Sequence, residues 1–273
     1  MSRAITSGRP GKALATAALT TAAGAVLLFL VVPIAIILAY AFSASPVQSW
    51  PIPAFTLHWF TDTFADEEIR AALVLSVEVA ALSTVISLVL GTLAAFAVSR
   101  MQSAAREAVS FVLILPIALP GILTGMALNA YFVAINVPLN FTTIVIGHAT
   151  FCIVIVYNNV LARLRRLPRS LAEASADLGA SPAMTFRRVL LPMLGSAIGA
   201  GGLLAFALSF DEVIVTTFTA GVQTTLPLWI LGAIRLGQRL PEVNVVVFCV
   251  IVMTLIPVFL AQRLMGDSGR LHK

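Results

Sequence analysis

The chain has 273 residues, of which 59% are hydrophobic and 11% charged, far below the roughly one-quarter charged residues of a soluble domain. That composition excludes a soluble enzyme and describes a polytopic membrane protein, with room for about six spans of roughly 20 residues. The net charge of +5 is distributed at the ends of apolar runs, which argues against nucleic-acid binding and for membrane orientation. Cys152 and Cys249 lie inside apolar runs, without disulfide or metal spacing, and read as packed thiols.

Arg3, Arg9 and Lys12 precede an apolar run over 13–42. Its length of about 30 residues exceeds the ~7–15-residue core of a signal peptide. A first span is expected, despite the small-x-small tripeptide Ala39-Tyr40-Ala41. Residues 43–69 are polar and proline-rich. Trp50 and Trp59 suit a membrane interface there, followed by the acidic cluster Asp66-Glu67-Glu68. The second span covers 70–99. Ser76, Ala80, Ser83, Ser87, Gly91 and Ala94 recur on it every three or four residues, a small-residue stripe that favours close helix packing over a solute path. Glu78 shares this span, near its outer end, where it faces protein, water or the interface.

A basic loop at 100–107 leads to a third span over 108–135. Pro116, Pro120, Gly121 and Gly125 break or kink a helix, which a membrane helix tolerates when neighbours satisfy the freed carbonyls. A gating hinge and a static kink both fit. The fourth span, 141–161, holds His148, Thr150 and Cys152. A lone membrane histidine reads first as a hydrogen-bonded packing residue, and second as a proton relay or solute contact.

Between 164 and 194 the chain turns polar. Ser170 and Glu173 stand at capping-box spacing. Gly179 can end that helix in a left-handed cap. Ser181-Pro182 starts another, with serine as N-cap and proline at the first helical position, and Pro192 closes the segment. The pattern predicts two short helices with a break: an elbow suited to gripping another protein.

The fifth span, 196–220, begins beside Gly195, Gly199, Gly201 and Gly202, which allow close contact with another chain or with the core. It carries Asp211 and Glu212 about 15 residues in, or roughly 22 Å deep at ~1.5 Å per residue. Adjacent acids at that depth are costly unless paired or hydrated. They either contact a cationic solute or form ion pairs, for instance with Arg70 or Arg235. The apolar part of the following loop, 226–234, is too short to span. The sixth span covers 243–264.

With the N-terminus inside, the inner segments hold Arg3, Arg9, Lys12, Arg100, Arg106, Arg163, Arg165, Arg166, Arg169, Arg187, Arg188, Arg263, Arg270 and Lys273. These are 14 of the 17 basic residues, a strong positive-inside bias. It predicts cytoplasmic termini and a cytoplasmic elbow. Residues 8–13, GRPGKA, lack the G-x4-G-K-[ST] spacing that cradles phosphates. No catalytic triad, zinc spacing or paired-carboxylate site stands out. No catalytic residue, metal site or cofactor is therefore assigned to this chain.

Glu173-Ala174-Ser175, three residues, Gly179, nine residues, Val189-x-Leu191-Pro192 resembles the EAA loop of ABC importer permeases, with Ser175 and Val189 as conservative departures. Three further stretches resemble the polyamine (spermidine/putrescine) group of that family: Phe55-Thr56-Leu57-His58-Trp59-Phe60, Gly147–Cys152 and Ser209-Phe210-Asp211-Glu212-Val213. With the span-three stretch Leu115–Ile122, the resemblance covers most of residues 55–260.

It implies an all-α, six-helix permease domain of the type I ABC importer kind over 1–273, in a bacterial inner membrane. The chain would form half of a translocation path for polyamines, or for aminoethylphosphonate, ferric iron or another small solute. The implied partners are a second permease subunit, two ATP-binding cassette subunits that bind ATP and Mg, and a periplasmic or lipid-anchored solute-binding protein. Glu173, Ala174 and Gly179 would couple to the ATPase as a lever, with Asp211 and Glu212 as candidate path residues. The alternative of another class is a secondary transporter or channel working without an ATPase.

Overall fold

In the computed structural model the backbone is described for residues 9–168 and 170–268, and the side chains of 9–14, 103 and 256–268 are not. Arg3, Arg169, Arg270 and Lys273, four of the residues in the orientation argument, lie outside the described residues. The described chain is helical. In order it forms α1 (Arg9–Tyr40), α2 (His58–Ala65), α3 (Glu67–Ser99), α4 (Ser103–Ala118), α5 (Gly121–Ala134), α6 (Phe141–Leu164), α7 (Ser170–Asp177), α8 (Pro182–Thr185), α9 (Leu191–Phe210), α10 (Ile214–Thr219), α11 (Leu226–Leu236) and α12 (Leu240–Ser268). A π-helical turn, Phe186–Leu190, joins α8 to α9.

Four helices are long and apolar enough to cross a bilayer: Ala15–Tyr40, Glu67–Ser99, Phe141–Leu164 and Pro182–Phe210. The pair Ala104–Ala118 and Gly121–Ala134, bent by 99°, is either a broken fifth span or a re-entrant loop. Four or five such spans among the described residues are compatible with the expected six, and the 29-residue α12 carries a shorter apolar stretch, Leu240–Leu255. Residues Glu67–Gly232 form one compact unit, and the chain before and after them forms a second.

In the larger unit α3, α6 and α9 pack against one another. The small-residue stripe of α3 is what lets them. Ser76, Ala80, Ser83 and Ser87 are buried, and a Cβ on Gly91 would stand 2.8 Å from the Ile153 carbonyl oxygen. The stripe is thus a packing surface. The core between these helices is built on Val98, Val156, Tyr157, Val160, Leu194 and Ala205. The buried Tyr157 hydroxyl shares a 2.7 Å hydrogen bond with Ser110 Oγ, since a phenol in such a place needs a partner.

The expected kink of span three is a complete break at Leu119-Pro120, between α4 and α5. The fifth span is broken as well, which its apolar sequence did not predict. α9 ends at Phe210, and α10 starts only at Ile214. A second correction concerns Pro192. It does not close the elbow, because helix runs from Pro182 through to Phe210. Proline lacks the N–H for a bond to the carbonyl four residues back and crowds it; the π turn just before Pro192 widens the helix where that strain falls.

The second unit contains α1, α2 and α12. Ser43 and Phe55 pair as an isolated antiparallel bridge, and Trp59 Nε1 donates to the Ser43 carbonyl at 3.0 Å. Phe42, Phe60 and Phe248 form an aromatic cluster with centroids 5.1–5.6 Å apart. Arg239 pairs with Asp66 and lies 3.6 Å from Glu242. The apolar window of α1 is 0% buried, so its Leu, Val and Phe side chains meet lipid or another chain.

Candidate functional site

The elbow is built as the sequence predicts at its turn. The Gly179 N–H donates to Ala176 O at 2.8 Å and the Ala180 N–H to Ser175 O at 3.1 Å, the paired bonds of a Schellman cap. Gly179 has φ +80°, a region that costs an ordinary residue roughly 1–2 kcal/mol. A Cβ there would meet nothing within 4 Å, so within this chain the glycine answers a conformational need. Ser181 accepts from the Met184 N–H at 3.3 Å as N-cap of α8.

The start of α7 differs from expectation. Ser170 is already its first helical residue, hence one position inside the N-cap that a capping box requires. The capping box among the described helices is instead at α6. Asn140 Oδ1 accepts from the Thr142 N–H at 2.8 Å, and Thr143 Oγ1 accepts from the Asn140 N–H at 2.7 Å. An asparagine directly before an apolar run was the available signal.

Glu173, Ala174 and Gly179 are all exposed. They sit on and just beyond one two-turn helix, with Leu178 between them at 90% exposure. Sequence reading passed over Leu178, a leucine left bare on the polar elbow. Behind this face the elbow is tied to itself and to α3. Ser175 Oγ and Thr185 Oγ1 lie 2.9 Å apart. Phe186 packs on Phe96 at 4.7 Å between centroids, and the Arg100 guanidinium covers the Phe96 ring at 4.3 Å, within cation–π range.

The other candidate residues, Asp211 and Glu212, lie at the break between α9 and α10, and their roles separate. Glu212 is half-buried and its Oε1 accepts from the Val215 N–H at 2.9 Å; it satisfies an orphaned donor at the start of α10. At the other end, Asn129 Nδ2 donates to Phe218 O at 2.7 Å. Thr143 Oγ1 lies 2.7 Å from Thr219 O. Side chains of α5 and α6 thus satisfy carbonyls that the short helix leaves open, which an interrupted helix at membrane depth requires. Glycines seat it: a Cβ on Gly125 would stand 2.7 Å from Phe218 Cδ2, and one on Gly147 3.1 Å from Val215 Cγ1.

Asp211 is different. It is exposed, and in its unit neither acid has an ion-pair partner among the described residues. Arg70 pairs with Glu67 at 2.8 Å instead. His148 is buried and hydrogen-bonded on both ring nitrogens, as the packing reading of a lone membrane histidine required. Of the four glycines near the start of α9, Gly201 and Gly202 face Val156 and Leu88, whereas Gly195 and Gly199 face open space.

The interrupted helix bundle with its exposed elbow is the kind of architecture a transport subunit uses, and comparison with known proteins supplies the family. Residues 87–266 match the family described as binding-protein-dependent transport system inner membrane component. The chain is 32% identical over 251 residues to the putrescine transport system permease protein PotI of Escherichia coli K12, covering 89% of this chain and 88% of that protein. It is 31% identical over 236 residues to the spermidine/putrescine transport system permease protein PotC of Haemophilus influenzae, covering 86% and 91%. Among solved structures it resembles a chain of a bacterial ABC transporter involved in the import of the acidic polysaccharide alginate, with TM-score 0.69 and 16% identity over 97% of this chain and 99% of that one. This chain belongs to the family of inner-membrane components of binding-protein-dependent transport systems. It is a permease subunit with the fold of ABC importer permeases, not a secondary transporter or an isolated channel.

Proposed function

We propose that this permease carries polyamines, putrescine or spermidine, as one of a pair of permease subunits served by two ATPase chains and a solute-binding protein. ATP and Mg belong to the ATPase chains. The observation that carries the reading is Asp211: an exposed carboxylate at the break of a membrane helix, beside a short helix whose ends are met by Glu212, Asn129 and Thr143. A carboxylate left open at membrane depth is costly unless it has a cation to meet, and the relatives that transport putrescine or spermidine carry cationic cargo. Glu212 supports the break as a cap and is not in the path.

The elbow faces the cytoplasm in this reading, supported by the positive-inside bias, with both termini on that side. Glu173, Ala174, Leu178 and Gly179 form the surface that the ATPase grips. Nucleotide-driven closure biases a bistable arrangement of the spans.

Uptake of labelled putrescine by cells carrying the full gene set tests the cargo, with unlabelled spermidine, aminoethylphosphonate and ferric citrate as competitors. ATP-dependent uptake blocked by spermidine, and indifferent to the other two, is expected. No uptake in cells where the complex assembles overturns the polyamine reading and leaves the family membership standing.

A further inference from the structure

His148 is held across the break. Its Nδ1 lies 2.8 Å from Ser209 Oγ in the last turn of α9, and its Nε2 lies 2.8 Å from Thr216 Oγ1 in the first turn of α10. The residue is 1% exposed. The network fixes its protons. Thr216 Oγ1 stands 2.6 Å from Glu212 O, and a carbonyl oxygen only accepts, so the threonine proton is committed there. Nε2 must then donate to Thr216 Oγ1. In the neutral ring Nδ1 is left as an acceptor, and it takes the Ser209 hydroxyl proton. The result is one directed chain: Ser209 to His148, His148 to Thr216, Thr216 to the Glu212 carbonyl.

This chain differs in kind from the other contacts of α10. Glu212, Asn129 and Thr143 satisfy its ends, and the glycines give it room. The imidazole spans from one half of the broken helix to the other, on either side of Asp211–Val213. One turn along α6, Cys152 Sγ donates to Ala205 O at 3.3 Å, which keeps α9 alongside the same helix. Packing alone would be served by any side chain of this volume, whereas the two-sided donor–acceptor pattern requires a donor and an acceptor on one rigid frame.

We propose that His148 is a positioning residue for Asp211: it clasps the end of α9 to the start of α10 and so fixes the direction in which the Asp211 carboxylate meets a cationic solute. The inference rests on the reading of Asp211 given above, and the experiment separates the two.

The test is a double-mutant cycle on labelled putrescine uptake by the complete transporter, with assembly checked by co-purification of the ATPase chain. Asp211→Asn and His148→Ala are each expected to lower the initial rate about tenfold. The double variant should fall no more than about twofold below Asp211→Asn alone, because a residue acting only through Asp211 has nothing left to position. His148→Gln, which can still donate to Thr216 Oγ1, should recover at least about half of the rate.

Multiplicative losses in the double variant, with Asp211→Asn impaired, overturn the proposal and leave the reading of Asp211 intact. A normal rate in Asp211→Asn overturns both. If His148→Ala does not assemble, Thr216→Val takes its place in the cycle with the same expectation, since it keeps the side-chain size and removes the oxygen on one side of the break.

Discussion

Ser175 and Thr185 share a 2.9 Å hydrogen bond that joins the two helices of the elbow. Ser175 is the position where the EAA pattern would have alanine, so this chain adds a staple at its point of departure. Thr185 is 4% exposed. Ser175→Ala would strand its hydroxyl in the dark side of the elbow, at a cost of about 1–3 kcal/mol. Amide exchange of α7 should speed up by about five- to thirtyfold for a cost of 1–2 kcal/mol, read by hydrogen–deuterium exchange on the intact complex. Thr185→Val, which leaves the half-buried Ser175 able to reach water, should have the smaller effect.

Gly179 permits a separation of shape from contact. At φ +80°, Gly179→Asn keeps much of the cap because asparagine tolerates the left-handed region. Gly179→Val does not tolerate it. If conformation were the whole requirement, Asn would transport and Val would not. We expect Gly179→Asp to insert and fold yet lose uptake, because it places a charge at the turn proposed to meet the ATPase; co-purification of the ATPase chain with each variant reads this.

The glycines of the spans make opposite predictions according to what each one faces. Gly91→Ala and Gly125→Ala must push apart groups at 2.8 and 2.7 Å, and overpacking of this kind costs about 1–3 kcal/mol. Both should lower the thermal stability of the purified chain. Gly195→Ala and Gly199→Ala meet nothing within 4 Å and should leave the isolated chain unchanged. A loss of permease pairing in these two, measured by cross-linking, would place the second subunit on that face.

The paired acids should behave unequally. Glu212→Gln retains an acceptor for the Val215 N–H and should preserve uptake within about twofold, while Glu212→Ala loses a cap worth about 0.5–2 kcal/mol. Asp211→Asn removes charge from a side chain with no hydrogen-bond or ion-pair partner among the described residues, so its defect should appear in putrescine transport with chain stability unchanged.

The legible part of this protein was whatever a period or a charge could carry. The α3 stripe, the Gly179 turn and the Ser181-Pro182 restart are all local patterns, and the structure has each of them. The break at Asp211–Val213 was hidden because residues on both sides remain apolar, and hydropathy does not register a change in helix direction. Its one trace was the acidic pair itself, of which Glu212 caps the short helix that follows. Pro192 misled for a related reason: proline normally ends a helix, but a π turn immediately before it absorbs the missing bond. The partners that secure α10, Asn129 and Thr143, lie 89 and 76 residues from the carbonyls they approach, a distance no sequence window spans.

The uninterrupted helix from Pro182 to Phe210 has a consequence of its own. Its 29 residues make a rod about 43 Å long at ~1.5 Å per residue, with the elbow at one tip and Asp211 just past the other. A tilt of about 10° pivoting at one tip would carry the opposite one through about 7 Å over that length. Under the function proposed above, fuel and cargo therefore act on two ends of the same crank. No relay of side chains is needed to carry the signal between them, and a change that softens the rod midway, for instance at Ala200, should cost transport without disturbing either grip.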